Sequence, residues 1–247
     1  MPIHDIIMAA AGNAGSVGGL QFVGGFGASV TAAASISVSL TSLSGGLASS
    51  PSAGDIVLAC VSFVNSTDIN IGCTTSGYTE LADLYVNGTR DTNFAVFYKV
   101  LSTAETSVAF DGTGTTQSNV SVIVHVWRGV NQTNPLDATS TTSTNTSSCI
   151  PDGASITTVT DKAVVVCFGA SSGGGTQPTI PNLTVPSGGS NFVEAYDSSG
   201  DNENTQAVFS RVITPAGAYN PPAFGITGAS DNTNFTAAAL TLALRPA

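Results

Sequence analysis

Two histidines and sixteen acidic residues are the groups in this 247-residue chain best suited to moving protons. His125 stands among valines in NVSVIVHVWR (Asn119 to Arg128), and no GxSxG nucleophile motif accompanies it. A structural histidine on a strand face is expected there, rather than a catalytic base. His4 has no partner visible in the sequence. Glycoside hydrolysis needs two carboxylates held close together, one protonating the leaving oxygen and the other acting as base or nucleophile. Glu80, Asp83, Asp91, Glu105 and Asp111 are scattered over loop-like segments and form no such motif. The segment DSSGDNE gathers oxygen ligands at Asp197, Asp201 and Glu203 around Gly200, which makes it a calcium candidate. Its spacing is not that of an EF-hand loop, and a polar hairpin loop is the simpler expectation. No catalytic residue, cofactor or resident metal is therefore expected.

Aromatic residues could do a different kind of work. Trp127, Tyr78, Tyr85, Tyr98 and Tyr196 would form a sugar-stacking platform if they shared an exposed face. Spread over this length, they are expected to serve core and turn packing instead. Cys60 and Cys167 sit inside apolar runs, as small buried hydrophobes do. Cys73 and Cys149 lie in Ser/Thr-rich segments; free thiols are expected, with a bridge between these two as the alternative. No CxxC or Cys/His spacing suggests zinc.

The elements that must position these residues read as short strands. SISVSLTSL (Ser35 to Leu43) alternates Ile36, Val38 and Leu40 with serine, and Asp55 to Val64 is a nearly continuous apolar run. Strands are also expected over Phe94 to Leu101, Thr106 to Phe110 and Val120 to Trp127. In the last of these the valines line one face, taken to point into the core, and Ser121, Ile123, His125 and Trp127 line the other. A short helix is expected over Ile3 to Ala11. The glycine-rich yet apolar stretch Gly15 to Gly27 suits either an arm docking on a neighbour or a first edge strand.

The second half resembles the first. AVFYKV (Ala95 to Val100) returns as AVFSRV (Ala207 to Val212), and IVLACVSF (Ile56 to Phe63) returns loosely as AVVVCFGA (Ala163 to Ala170). NVSVIVHVWR is matched by NFTAAALTLALR (Asn234 to Arg245). Order and spacing are kept, which indicates an all-β scaffold made by duplication. The expectation is a single large, jelly-roll-like β-sandwich over residues 36–247, with repeats at about 36–138 and 150–247 and an N-terminal arm over residues 1–35. The Ser/Thr run Thr139 to Ser148 reads as the exposed connection between them.

Composition narrows the partners. With 42% hydrophobic residues and 9% charged, the chain can bury a core but has few charges for its surface. Such a surface suits a subunit covered by neighbours. A net charge of −10 argues against nucleic acid, which needs clustered Lys and Arg. No apolar run approaches the roughly 20 residues of a membrane-spanning helix, so no membrane insertion is expected. The N-terminus lacks a basic n-region and reads as a mature one.

Several motifs also resemble known proteins. HDIIMAAAGNAG, from His4 onward, resembles the short N-terminal motif of bacteriophage tail and fibre proteins, notably marine ones. SVSLTSLSGGLASSPSAGDIVLACVSF (Ser37 to Phe63), SGYTEL (Ser76 to Leu81), FYKV (Phe97 to Val100), VWRGVNQTNPLDA (Val126 to Ala138) and ALTLALRPA (Ala239 to Ala247) resemble a poorly characterised β-sandwich family of phages, prophages and bacteria. The resemblance implies a non-enzymatic virion structural protein, a tail fibre or other surface appendage, assembled in the host cytoplasm. A capsid decoration or cement protein, and a host-receptor or carbohydrate-binding module, are the alternatives. The partners implied are other virion proteins held through the N-terminal arm, further copies in a homo-oligomer such as a trimer, and a host surface glycan. The family pattern carries over no catalytic residue.

Overall fold

Alternation at a period of two sends Val120, Val122, Val124 and Val126 to one face of their strand and Ser121, Ile123, His125 and Trp127 to the other. The computed structural model describes residues 19–89, 91–112, 114, 117–174, 180–197, 202–231 and 233–247. It is all-β. The first half contains β1 (Gln21–Ala33), β2 (Ser35–Ser39), β3 (Ile56–Val64), β4 (Gly72–Cys73), β5 (Thr79–Val86), β6 (Thr92–Val100), β7 (Ser107–Asp111) and β8 (Gln117–Arg128). The second contains β9 (Leu136–Asn145), β10 (Ile156–Thr157), β11 (Ala163–Gly174), β12 (Asn182–Thr184), β13 (Ser190–Asp197) and β14 (Asn202–Ile213). It ends with β15 (Ala218–Tyr219), β16 (Gly225–Thr227) and β17 (Thr236–Leu244).

The first half forms an antiparallel five-stranded sheet of order β1-β8-β3-β6-β5 and a small sheet β2-β7-β4. The second forms β9-β17-β11-β14-β13, with small sheets β10-β15 and β12-β16. The two five-stranded orders match strand for strand. In each half the first strand pairs with the last and the third with the sixth, which is the winding of a jelly roll. Even the irregularities repeat: β5 bulges against β6 between Glu80 and Ala82, and β13 bulges against β14 between Ser190 and Val193.

The two large sheets pack face to face. Ile56, Leu58, Phe94, Val96, Ile123 and Trp127 of the first meet Val164, Val166, Phe168, Val208, Leu240 and Leu242 of the second in one core cluster. The two five-stranded sheets are thus the inner layers of the fold. Each half adds a layer of its own. The valine face of β8 lies away from the partner sheet and packs beneath β2-β7-β4, against Val38, Val108 and Phe110. In the second half Cys167, Leu183, Phe209 and Phe224 form the corresponding outer core. Burial on both faces explains why β3 and β17 are apolar at nearly every position.

Four expectations are corrected by these strands. Within the range expected as an arm, residues 21–33 are β1, an integral edge strand paired with β8 from Gln21↔Arg128 to Ala33↔Gln117. Its glycines allow close packing: a Cβ at Gly25 would lie 2.5 Å from Val193 Cγ2, and one at Gly27 would lie 2.6 Å from the Glu194 carbonyl oxygen. Residues 1–18, with His4 and the expected helix, lie outside the described residues. The Ser/Thr run is largely β9, the outermost strand of the second sheet. An edge strand with a solvated face needs no apolar residues, so its composition resembles a linker. The strand equivalences thus begin the repeats earlier, at β1 and β9. Lastly, the two cysteines are not counterparts. Val96 and Val208 hold the same inward place in their repeats, and they pair with Cys60 and Phe168 respectively. Cys60 matches Phe168 and points between the sheets, while Cys167 matches Ala59 and points outward. A one-residue offset in a strand exchanges its faces.

Candidate functional site

The residues nominated for proton chemistry are engaged in holding the fold. His125 is fully buried at the seam between the large sheets. Trp127 Nε1–H donates to His125 Nδ1 at 3.0 Å, so Nδ1 is the unprotonated nitrogen. Nε2–H then donates to the Asn191 carbonyl oxygen of β13 at 2.8 Å, across the seam. Asn191 sits at the β13 bulge with φ +52°, which turns its carbonyl out of the ladder. Phe22 lies against the imidazole with ring centroids 4.4 Å apart, and Phe168 meets it edge-on. Burial pushes the His125 pKa down to about 3, with the Asn191 contact opposing. A ring that is neutral, doubly bonded and sealed from water is a poor general base.

Four of the five scattered acids, Asp83, Asp91, Glu105 and Asp111, have separate hydrogen-bond partners. Glu105 accepts hydrogen bonds from Lys99 and Tyr78, tying the start of β5 to the end of β6. Asp91 accepts from Tyr85 Oη at 2.6 Å and from Gly88 N–H at 2.8 Å. Asp111 accepts from Gly114 N–H. Asp83 accepts from Ile71 N–H at 3.1 Å; burial, helped by the charges of Glu80 and Asp68, raises its pKa to about 6. In the calcium candidate, Asp197 pairs with Asn204 and Glu203 with Gly173 in the sheet, while Asp201 lies outside the described residues. Among the described residues no three His, Cys, Asp or Glu gather as metal ligands do.

The aromatics are distributed over separate layers. Trp127 and Tyr98 belong to the inter-sheet core, Tyr78 to the outer core of the first half, and Tyr85 bonds at the rim. Tyr196 stands in β13, paired with Thr205 of β14. No disulfide joins the four cysteines; Cys149 is buried with its thiol donating to Asp231 Oδ1 at 3.1 Å. Among the described residues, no helix is long and apolar enough to cross a membrane. A cavity of about 150 Å³ lined by Ser143, Asn145, Pro151 and Asp152 is smaller than the roughly 300 Å³ at which small-molecule pockets begin.

The two repeats end on corresponding arginines, each held in an ion pair. Arg128 closes β8 and forks onto Asp55, Nε to Oδ1 at 2.8 Å and Nη2 to Oδ2 at 2.9 Å. Arg245, its counterpart after β17, reaches Asp137 at 3.3 Å. Burial alone would raise the Asp137 carboxyl, but hydrogen bonds from Thr160 and Val159, with Arg245, hold it below the usual range. Asp137→Ala would strand the Val159 and Thr160 amides, and a loss of about 2 kcal/mol in a denaturant titration is expected.

One feature escapes motif-based reading altogether. Along the inward faces of the central strands, apolar residues give way to polar ones: Ile56, Leu58 and Cys60 to Ser62, and Trp127 and Ile123 to Ser121 and Asn119. The second sheet answers with Ser172, Asn204, Gln206 and Thr236. Asn204 Nδ2 donates to the Ser62 carbonyl, Gln206 Nε2 donates to the Ser121 carbonyl, and the Thr92 and Thr236 hydroxyls meet at 2.7 Å. The readable signal is that switch in inward positions, which no motif search scores.

No protein family matches the sequence, and no curated protein matches it. Among solved structures, PBSX exported protein XepA is similar at 13% identity and a TM-score of 0.21, over 91% of this chain and 86% of that one. Likeness at that level carries no argument about fold or function.

Proposed function

We propose that this chain is a non-enzymatic structural component of a bacteriophage virion, a subunit of a tail fibre or other surface appendage. The sequence resemblance set out above supplies the class. The observation that carries the non-catalytic part is the His125 seam: the described histidine is consumed as a buried, neutral clamp between the repeats. The acids and arginines likewise pin strand ends and turns. A rigid double roll with few surface charges suits a subunit whose faces meet neighbours in a symmetric assembly. Residues 1–18 precede β1 and are the segment proposed to contact other virion proteins.

Deleting residues 1–18 tests this reading, because the cut leaves β1 intact. A body that melts within about 2 °C of the full chain yet is lost from purified particles is expected. A truncated chain incorporated at normal stoichiometry would remove the proposed anchor. Density on the capsid surface, rather than the tail, would favour the decoration alternative.

A further inference from the structure

We infer that the polar end of the seam between the two large sheets is an internal binding site for ordered water molecules, which bridge the two repeats there. Six residues form it, and they are contiguous. Ser62 and Ser121 are register partners on the first sheet, and Asn119 follows Ser121 on the same face. Ser172 and Asn204 are register partners on the second, with Gln206 next along β14. The amides of Asn204 and Gln206 reach across to the Ser62 and Ser121 carbonyls, so the two sets face each other directly.

Their remaining polar atoms have no hydrogen-bond partner among the described residues. These are Ser62 Oγ, Ser121 Oγ, Ser172 Oγ, Asn204 Oδ1, Gln206 Oε1, and both Oδ1 and Nδ2 of Asn119. Each residue is at most 1% exposed. Leaving such a group dry forfeits its hydration without return, and seven together would offset most of the stability of a domain.

The mixture of atoms selects the guest. The Asn204 and Gln206 oxygens need donors, because their amide nitrogens are already used. Asn119 Nδ2 needs an acceptor, and the three serines can do either. A cation would satisfy the oxygens but leave the Asn119 Nδ2 donor unpaired. An anion would do the reverse. Water donates and accepts together, and it binds where two to four polar partners converge. Water bridges cost little to form and are compatible with a firm interface. The seam would then be dry and clamped at the His125 end and wet at the Asn119 end.

The test is a crystal structure of the intact chain at about 1.5 Å, where ordered water peaks are resolved and amide orientations follow from the hydrogen-bond network around them. Ordered waters within ~3.2 Å of at least two of the seven atoms are expected. A seam with no such peaks, its side chains paired directly with one another, would overturn the inference. So would a peak with the coordination or anomalous signal of an ion. In solution, long-lived water should give cross-relaxation to the Ser62, Ser121 and Gln206 amides, and Ser121→Ala should weaken the signal at Ser121. Absence of that signal in a well-folded wild-type chain would count against bound water.

Discussion

Gly27→Val should unfold the N-terminal edge of the protein, lowering stability by on the order of 4 kcal/mol. Strand β1 crosses β13 with almost no room between them. The Cβ of any residue at position 27 would lie 2.6 Å from the Glu194 carbonyl oxygen, 3.2 Å from its carbon and 3.3 Å from Ala195 Cβ. Two of those atoms are backbone, held in the ladder between β13 and β14, so no rotamer change relieves the contact. The strand must withdraw, taking Phe22 away from the His125 seam. Gly217→Ala is the control, since a Cβ there meets nothing within 4 Å. A denaturation midpoint for Gly27→Val equal to that of the control would show that the two edges do not pack as described.

His125→Leu should remove most of the acid sensitivity that this residue confers. In the folded state His125 titrates near 3, and in the unfolded chain near 6.5. Between those values the unfolded chain binds a proton that the folded protein refuses. Stability is therefore lost as pH falls from about 6.5, by up to about 5 kcal/mol below pH 3. Two acids act in the opposite sense. Burial raises Glu194 to about 7 and Asp83 to about 6 from ordinary carboxylate values, so acidification restores stability through them. Both remain in the variant and cancel in the comparison. Wild type minus variant should thus fall by about 3 kcal/mol between pH 7 and pH 4. At neutral pH the variant is weaker, because the Trp127 indole and the Asn191 carbonyl lose their partner, each worth about 1–3 kcal/mol. Leucine fits the space: Leu242 stands three residues before Arg245 as His125 stands three before Arg128, and it packs in the same core. A pH-independent difference would mean that the ring is accessible to protons.

Strands are legible in this sequence wherever their side chains carry the pattern of burial. For β3, β8, β11, β14 and β17, burial on both faces leaves long apolar or alternating runs. Strand β1 carries no such pattern, because its glycines answer to what approaches them, and a missing Cβ leaves no periodicity. Strand β9 is hidden by the opposite effect: solvent along one edge permits Ser and Thr, which turns also favour. Duplication is visible in AVFYKV and AVFSRV, whose faces agree in the two repeats. It misleads at the cysteines, where aligning Cys60 with Cys167 shifts a strand by one residue. The structural role of His125 follows from its valine neighbours, but its partner at Asn191 depends on a bulge 66 residues away.

The proposed role as a non-catalytic particle component is tested most directly by cryo-electron microscopy of particles purified from cells that express the gene in its native setting. Density that fits the double roll is expected on the tail or its appendages, with the two large sheets face to face and residues 1–18 leading toward a neighbouring subunit. Particles that lack the chain altogether, paired with purified protein that turns over a host polysaccharide, would contradict it.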